Sequence, residues 1–504
     1  MKIRYLMNMC FIVPVLTLPL FGQTGGITHV GKLSKLSADS IAADTTGMGT
    51  LTSVELAKAM IPGWNVGNSL DAIGGETSWG NPMISQSLID SIKAAGFHSV
   101  RIPVAWSSHF SDASTFTIDP AWLDRVEQVV SYVLDDGMFA IINEHYDGGW
   151  IQPTYAQQAY VNDRLAAMWR QIAIRFRDYG GHLLFAGMNE IHITDVYSGP
   201  TVENYTVQNS FNQTFVTTVR STGGCNVYRY LAVQGYNTNI DYTYNYFAIP
   251  TDVTPNRLMV EVHYYDPYDF TLNTSSTITQ WGKNATDPSK TETWANESYA
   301  DGQFQKMKTK FIDKGYAVIL GEYGPMARLT LGSDALNAEH ARYRLYYMEY
   351  ITRSLDRHGL VPIYWDNGYT GDTGEGIFDR STGAQVYPDI IKAMIDTLIT
   401  TTGGSTGVNI LNVNPNPAIF FLNQNYPNPF NPSTKIAYAL KRSGPVRLSV
   451  FDVLGREVGV LVHGVQTAGD HQVIFSGRDV TSGIYIYKLQ ADDEVQLKKM
   501  ALVK

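Results

Sequence analysis

Leu183-Leu184-Phe185-Ala186-Gly187-Met188-Asn189-Glu190 is an apolar run that closes on an amide and a carboxylate. Seven other stretches share its texture: residues 63–67, 99–104, 139–145, 230–236, 258–263, 317–322 and 361–366. Between most of them lie segments with helix-like spacing of apolar residues, at 84–95, 121–135, 163–179, 205–222, 302–314 and 337–358. Continuous apolar strands alternating with amphipathic helices indicate a parallel sheet buried on both faces. Eight such repeats in roughly 350 residues fit an α/β fold of the (β/α)8, or TIM-barrel, type. An open doubly wound sheet is the rival, but it carries a Gly-rich phosphate turn after an early strand. The turn after the first run, Gly67-Asn68-Ser69-Leu70-Asp71, lacks one.

In a barrel the C-terminal ends of the strands converge on one mouth, where reactive groups belong. Arg101 sits on the second run. Asn143 and His145 close the third, Asn189 and Glu190 the fourth, His263 and Tyr265 the sixth, Glu322 the seventh, and Trp365 with Asp366 the eighth. One carboxylate at one strand end says little. Two, accompanied by Arg, His, Asn, Tyr and Trp, point to chemistry. Breaking a glycosidic bond needs one acid to protonate the leaving oxygen and one carboxylate to meet the developing cation. Strand alternation points Glu144 away from Asn143 and His145. Glu261 shares the face of His263 and reads as a barrel-interior ion-pair partner. The sequence has no His-Glu-x-x-His, Cys pair or acidic calcium loop, and no Gly-x-Ser-x-Gly elbow. No metal and no cofactor are expected.

The chain has 504 residues, more than one compact core usually holds, so two or more domains are expected. Charged residues are only 17% and aromatics 12%, which suits an extracellular protein that touches neutral ligands such as sugar rings. A net charge of -9 argues against a nucleic-acid partner, since phosphate contacts need a basic face. Cys10 lies in the N-terminal apolar segment and Cys225 is alone, so no disulfide framework is expected. Residues 1–23 read as a signal peptide: Lys2 and Arg4 precede an apolar stretch from Leu6 to Phe21. No later stretch reads as a membrane span.

The motifs at the strand ends resemble glycoside hydrolase family 5, most closely its subfamily 4. The matching text is Gly63-Trp64-Asn65-Val66-Gly67-Asn68-Ser69-Leu70-Asp71, Glu76-Thr77-Ser78-Trp79-Gly80-Asn81-Pro82, Val100-Arg101-Ile102-Pro103-Val104, Gly187-Met188-Asn189-Glu190, His263-Tyr264-Tyr265-Asp266-Pro267, Gly321-Glu322-Tyr323-Gly324 and Trp365-Asp366-Asn367-Gly368. The resemblance implies a retaining mechanism with Glu190 as acid/base and Glu322 as nucleophile. It implies that Arg101 and Tyr265 hold Glu322, that Asn189 bonds the sugar 2-hydroxyl, that His145 and His263 complete the polar shell, and that Trp365 stacks under the sugar. Glu190 is expected to have a raised pKa, supplied by an ionised Glu322 nearby. Tyr146 stands where the family often has a second His. The implied activity is that of an endo-β-1,4-glucanase acting on β-glucan, as a monomer. The alternatives are a xyloglucanase, mixed-linkage glucanase or mannanase on the same site, or a non-catalytic carbohydrate-binding protein.

The domain reading is a signal peptide at 1–23, a loose leader at 24–48, the barrel at 49–400, a Gly/Thr/Ser-rich linker at 401–418 and a C-terminal module at 419–504. In that module alternating runs at 435–440, 446–452, 457–463, 469–475 and 484–490, punctuated by glycines, read as a small all-β sandwich. Phe451-Asp452-Val453-Leu454-Gly455-Arg456-Glu457-Val458, Ser482-Gly483-Ile484-Tyr485 and the closing Lys498-Lys499-Met500-Ala501-Leu502-Val503-Lys504 resemble the type A sorting domain of type IX secretion. That implies the type IX machinery as partner, and a secreted or surface-attached protein.

Overall fold

The computed structural model describes residues 41–145, 147–196, 198–401, 420–422, 425, 428–440, 442–467, 469–478, 480–491 and 494–504. The signal peptide read at 1–23, the linker read at 401–418 (from 402 onward) and Tyr146 lie outside the described residues.

Eight parallel strands close a barrel in chain order: β1 Gly63–Asn65, β2 Ser99–Ile102, β3 Phe139–Asn143, β4 Leu183–Ala186, β5 Leu231–Asn239, β6 Leu258–Tyr264, β7 Ala317–Tyr323 and β8 Leu360–Tyr364. Each strand is followed by a helix: α1 Gln86–Ala94, α2 Pro120–Asp135, α3 Tyr155–Arg175, α4 Val202–Ser221, α5 Ile240–Tyr246, α6 Glu297–Lys310, α7 Asp334–His358 and α8 Pro388–Thr401. Several helices start ahead of their apolar periodicity because a polar residue caps them. Thr201 and Asn204 form a capping box at α4, and Asn296 and Ser333 cap α6 and α7.

Strand alternation divides the core. Ile141, Leu184, Ala232, Met259, Ile319 and Ile363 point inward and share a cluster with Leu56, Ala57 and Met60, which precede β1. Ile102, Ile142, Phe185, Val260, Val262 and Leu320 point outward into a second cluster with the helices. Each fully buried aliphatic side chain contributes about 1.5–3 kcal/mol relative to exposure.

β7 breaks the alternation once. Leu320 stands opposite Val262, but Glu322 stands opposite His263, so Gly321 is an extra residue in the ladder. Plain alternation from the inward Ile319 would send Glu322 out toward the helices. The bulge turns it back to the mouth.

The expected loose leader at 24–48 is corrected at its end. Residues 41–48 pack on the barrel: Asp44 N–H donates to the Gly224 carbonyl at 3.1 Å, Gly181 N–H donates to the Gly47 carbonyl at 2.9 Å, and Met48 is buried. These backbone bonds hold a segment whose small, polar composition reads as coil.

The C-terminal module has two antiparallel sheets. One is β9 Phe421–Leu422, β10 Ser433–Leu440 and β13 Gly469–Ser476, in the order β9-β10-β13. The other is β11 Gly444–Asp452, β12 Glu457–Gln466, β14 Gly483–Ala491 and β15 Glu494–Leu502, in the order β12-β11-β14-β15. Ile436, Tyr438, Leu448, Val450, Tyr487, Leu489 and Met500 from both sheets form one buried cluster, as a sandwich requires. Among the described residues no helix is long and apolar enough to cross a membrane.

Candidate active site

Every residue expected at the site reaches the barrel mouth. Arg101 on β2 is fully buried and acts as its hub. Its Nη1 donates to Glu322 Oε1 and to Asn65 Oδ1, both at 3.0 Å, and its Nη2 donates to Asn189 Oδ1 at 2.7 Å. Its Nε lies 2.8 Å from Glu261 Oε1. A buried guanidinium is tolerated because carboxylates compensate its lost hydration, and its planar fork serves three strands at once.

Glu322 and Glu190 occupy different surroundings. Glu322 lies on β7, with its side chain 8% exposed, and also accepts from the Tyr265 hydroxyl at 3.2 Å. Glu190 lies four residues beyond the end of β4, and its side chain is 38% exposed. Its side chain meets His263, whose Nδ1 is 2.7 Å from Oε1. The same nitrogen is 3.6 Å from Glu322 Oε2. Donor atoms of Glu190, His263 and Glu322 all lie within 4.8 Å of one another. These three side chains are also the donor set a cation would use, against the charge of Arg101 next to them.

His263 sits among acids. Burial works against its charge, but Glu322, Glu190 and Glu261 together push it up to about 9. Burial would raise Glu190, yet the hydrogen bond and charge of His263 bring it below the usual carboxyl value. Glu322 is raised by burial, opposed by His263 and Arg101 and reinforced by Glu190. The expectation that Glu322 would raise Glu190 is thus reversed in the free site, because an imidazolium stands between the two carboxylates. Burial and the adjacent Glu322 push the Tyr265 phenol well up, so it remains a donor.

His145 is partly buried; loss of hydration first, then the charges of Arg101 and His263, hold it well below the usual imidazole value. Its Nδ1 faces Asn143 Nδ2 at 3.2 Å, which leaves the ring proton on Nε2. Its ring lies parallel to Trp365, with centroids 5.6 Å apart and planes 7° apart. The imidazole therefore stacks on the indole.

Asp366, though it closes β8, is a structural clasp. It accepts from Trp64 Nε1 at 3.1 Å, Ile377 N–H at 2.8 Å, Gly368 N–H at 2.7 Å and Arg380 Nη2 at 2.9 Å. Glu144 is buried, and burial together with Asp147 holds its carboxyl well up. Glu261 pairs with Arg101 inside the barrel, as its shared face with His263 implied. Three site neighbours were not singled out from sequence. Asn65 and Gln234 sit inside apolar strands. Glu375 sits in the glycine-rich loop after β8, buried, accepting from Asn367 Nδ2 at 3.2 Å, and raised by burial and by Glu322. Only Asn65 carried a signal, as the polar residue within its motif.

Residues 65–371 match the family model for cellulase (glycosyl hydrolase family 5), and residues 424–503 match the secretion system C-terminal sorting domain. The chain is 46% identical over 356 residues to a xyloglucan-specific endo-beta-1,4-glucanase of Bacteroides ovatus, covering 68% of this chain and 70% of the relative. It is 39% identical to an endoglucanase A of Paenibacillus barcinonensis, covering 71% and 92%. Among solved structures, the Bacteroides ovatus GH5 xyloglucanase in complex with a XXXG heptasaccharide aligns with TM-score 0.68 at 45% identity, covering 71% of this chain and 79% of that one. A GH5-4 broad specificity endoglucanase from Bacteroides salanitronis aligns with TM-score 0.66 at 41% identity, covering 70% and 97%. Fold and mouth together define a glycoside hydrolase of the cellulase type. The chain belongs to glycosyl hydrolase family 5, and its second module is a sorting domain that addresses it to type IX export, to the cell surface or beyond.

Proposed function

We propose that the protein is a retaining endo-β-1,4-glucanase in which Glu322 attacks the anomeric carbon and Glu190 is acid and then base. The observation that carries this reading is the asymmetry of two close carboxylates. A retaining pair stands about 5–5.5 Å apart, whereas an inverting pair needs about 6.5–9.5 Å to admit water. Oxygens of Glu190 and Glu322 lie within 4.8 Å. Glu322 is the more buried and is held by Arg101 and Tyr265, as suits a nucleophile that must stay oriented and anionic. Glu190 is open to the cleft and touches a proton donor, as suits a group that exchanges protons. Transfer of the Nδ1 proton from His263 to Glu190 leaves a neutral imidazole and a carboxylic acid ready to protonate the leaving oxygen. Sugar binding favours that transfer by excluding water from two opposite charges and leaving neutral groups behind.

Asn189, its Oδ1 tied to Arg101, keeps its amide N–H for the sugar 2-hydroxyl. Trp365 supplies the stacking face, with His145 beside it. All these groups come from one chain, which supports a monomeric catalyst. Xyloglucanase activity is the second reading, favoured by the 46% identity to a xyloglucan-specific relative.

Assays on carboxymethylcellulose, xyloglucan, lichenan and mannan test the substrate class. Release of oligosaccharides from carboxymethylcellulose is expected; xyloglucan as the only substrate would select the second reading, and activity on none would overturn both. Glu190→Ala is expected to lower turnover of polysaccharide by about 10²–10⁴-fold. With azide, Glu322→Ala should give a glycosyl azide of inverted configuration and Glu190→Ala, on an activated substrate, the retained one. Exchanged products would reverse the two roles.

A further inference from the structure

Beneath the two carboxylates lies a third, Glu261 on β6, 1% exposed. Its Oε2 accepts from Gln234 Nε2 on β5 at 2.7 Å. Its Oε1 sits 2.8 Å from Arg101 Nε and 3.5 Å from His263 Nε2. Oε1, Arg101 Nε and His263 Nε2 each lack a well-directed hydrogen bond, so this oxygen faces two cations and is aligned with neither. Its place is set by shape. A β-carbon at Gly321 would come 2.2 Å from Oε1, and Gly321 is the extra residue of the bulge that turns Glu322 inward. This bulge therefore does two things: it presents Glu322 and it makes room for Glu261.

We propose that Glu261 is a positioning residue acting through its charge: from below the reaction floor it keeps His263 doubly protonated with Nδ1 toward Glu190, and so supplies the proton that Glu190 delivers. This rests on the roles given to Glu190 and Glu322 above. The groups facing His263 are Glu190 beyond β4, Glu261 from β6 and Glu322 from β7, with His145 beyond β3 close enough to interact by charge; behind them Arg101 from β2 and Gln234 from β5 meet Glu261, and Tyr265 beyond β6 meets Glu322. Arg101 divides its charge among Glu322, Asn65, Asn189 and, through Nε, the same Glu261 oxygen, and burial with the charges of Arg101 and His263 disfavours a charge on His145. Glu261 is thus the one carboxylate at the Nε2 side of the ring, while both others face Nδ1. Without it the imidazole would keep the Nδ1 contacts but lose one of the three carboxylates that favour a second ring proton.

The direction for pH follows. His263 is raised to about 9 in part by Glu261, and Glu322 is raised in part by Glu261. Glu261→Gln keeps the size and the Gln234 contact and removes the charge. Both groups then lose protons at lower pH, so the acidic and basic limbs of kcat/KM on a soluble β-glucan are expected to move down together, by about one pH unit. Glu261→Asp, which restores charge, is expected to bring the limbs back toward wild type. Limbs that stay in place while kcat falls would overturn the proposal, because a merely structural role lowers the rate without moving them. A direct measurement covers the case in which the variants do not fold: imidazole NMR of the ¹⁵N-histidine-labelled wild-type chain is expected to show His263 protonated on both nitrogens at pH 7. A neutral ring there would equally overturn it. An inactive wild-type chain would instead count against the proposed function, and the NMR result would stand apart from that failure.

Discussion

Gly67 determines where Trp365 can lie. A β-carbon at position 67 would approach the Trp365 ring to 2.7 Å and the Asp366 carbonyl oxygen to 2.9 Å. The ring cannot retreat freely, because the His145 ring is stacked against it. Overpacking of this kind costs about 1–3 kcal/mol, and here the shift falls on the stacking face for the sugar. Gly67→Ala is therefore expected to lower kcat/KM at least about tenfold, with the circular dichroism spectrum unchanged; kinetics equal to wild type would show that Trp365 is not confined this way. At this scale the sequence was informative about reactive groups. Glu190, Glu322, Arg101, His263 and Tyr265 announce themselves as polar residues ending apolar runs. It was silent on charge state, since His263 reverses the expected order of the two carboxyls only through distances of 2.7 and 3.6 Å. Glu375 was also hidden, because a carboxylate in a glycine-rich loop looks like a solvated one.

The elements were legible in number and order, and less so at their ends. Eight runs became eight strands, but β4 stops at Ala186 and lets residues 187–190 curl over the mouth, while β7 continues through Glu322 to Tyr323. The bulge at Gly321 has no signature in alternation, since it is an exception to it. The turn after β8 shows how an element end is fixed. Arg380 donates to the Gly67 carbonyl at 2.8 Å, the Ser69 hydroxyl at 2.8 Å, the Asp366 carbonyl at 2.6 Å and the Asp366 carboxylate at 2.9 Å. It closes the barrel by tying the loop after β1 to the loop after β8. Both members of the Arg380–Asp366 pair are buried, and removing one member of such a pair costs about 3–5 kcal/mol. Arg380→Met should lower the unfolding free energy by that amount in urea titration. A change below about 1 kcal/mol, the level of an exposed pair, would mean that the backbone bonds alone hold the junction.

At the scale of the whole molecule the described residues form a barrel core and a sandwich core that share no residue. The barrel core draws on strands and helices between Leu56 and Met394, and the sandwich core on residues from Phe420 to Leu502. The separation was legible because composition changes sharply at the Gly/Thr/Ser-rich stretch from 401. The final strand, Glu494–Leu502, was visible only as a motif, since Glu494, Gln496 and the adjacent Lys498 and Lys499 mask its β character. It pairs along its whole length with β14 and buries Met500 and Leu502 in the sandwich, so the closing residues are part of that core. Two separate cores predict separable properties. A chain ending at residue 401 retains the carboxylates, Arg101 and the Arg380 clasp, and is expected to unfold with an unchanged midpoint and to keep wild-type kcat/KM. Lacking the sorting domain, it should accumulate in the periplasm. Fractionation with activity assays distinguishes the outcomes: active enzyme in the medium would remove the export role from the sandwich, and an unfolded truncate would show that the barrel depends on it.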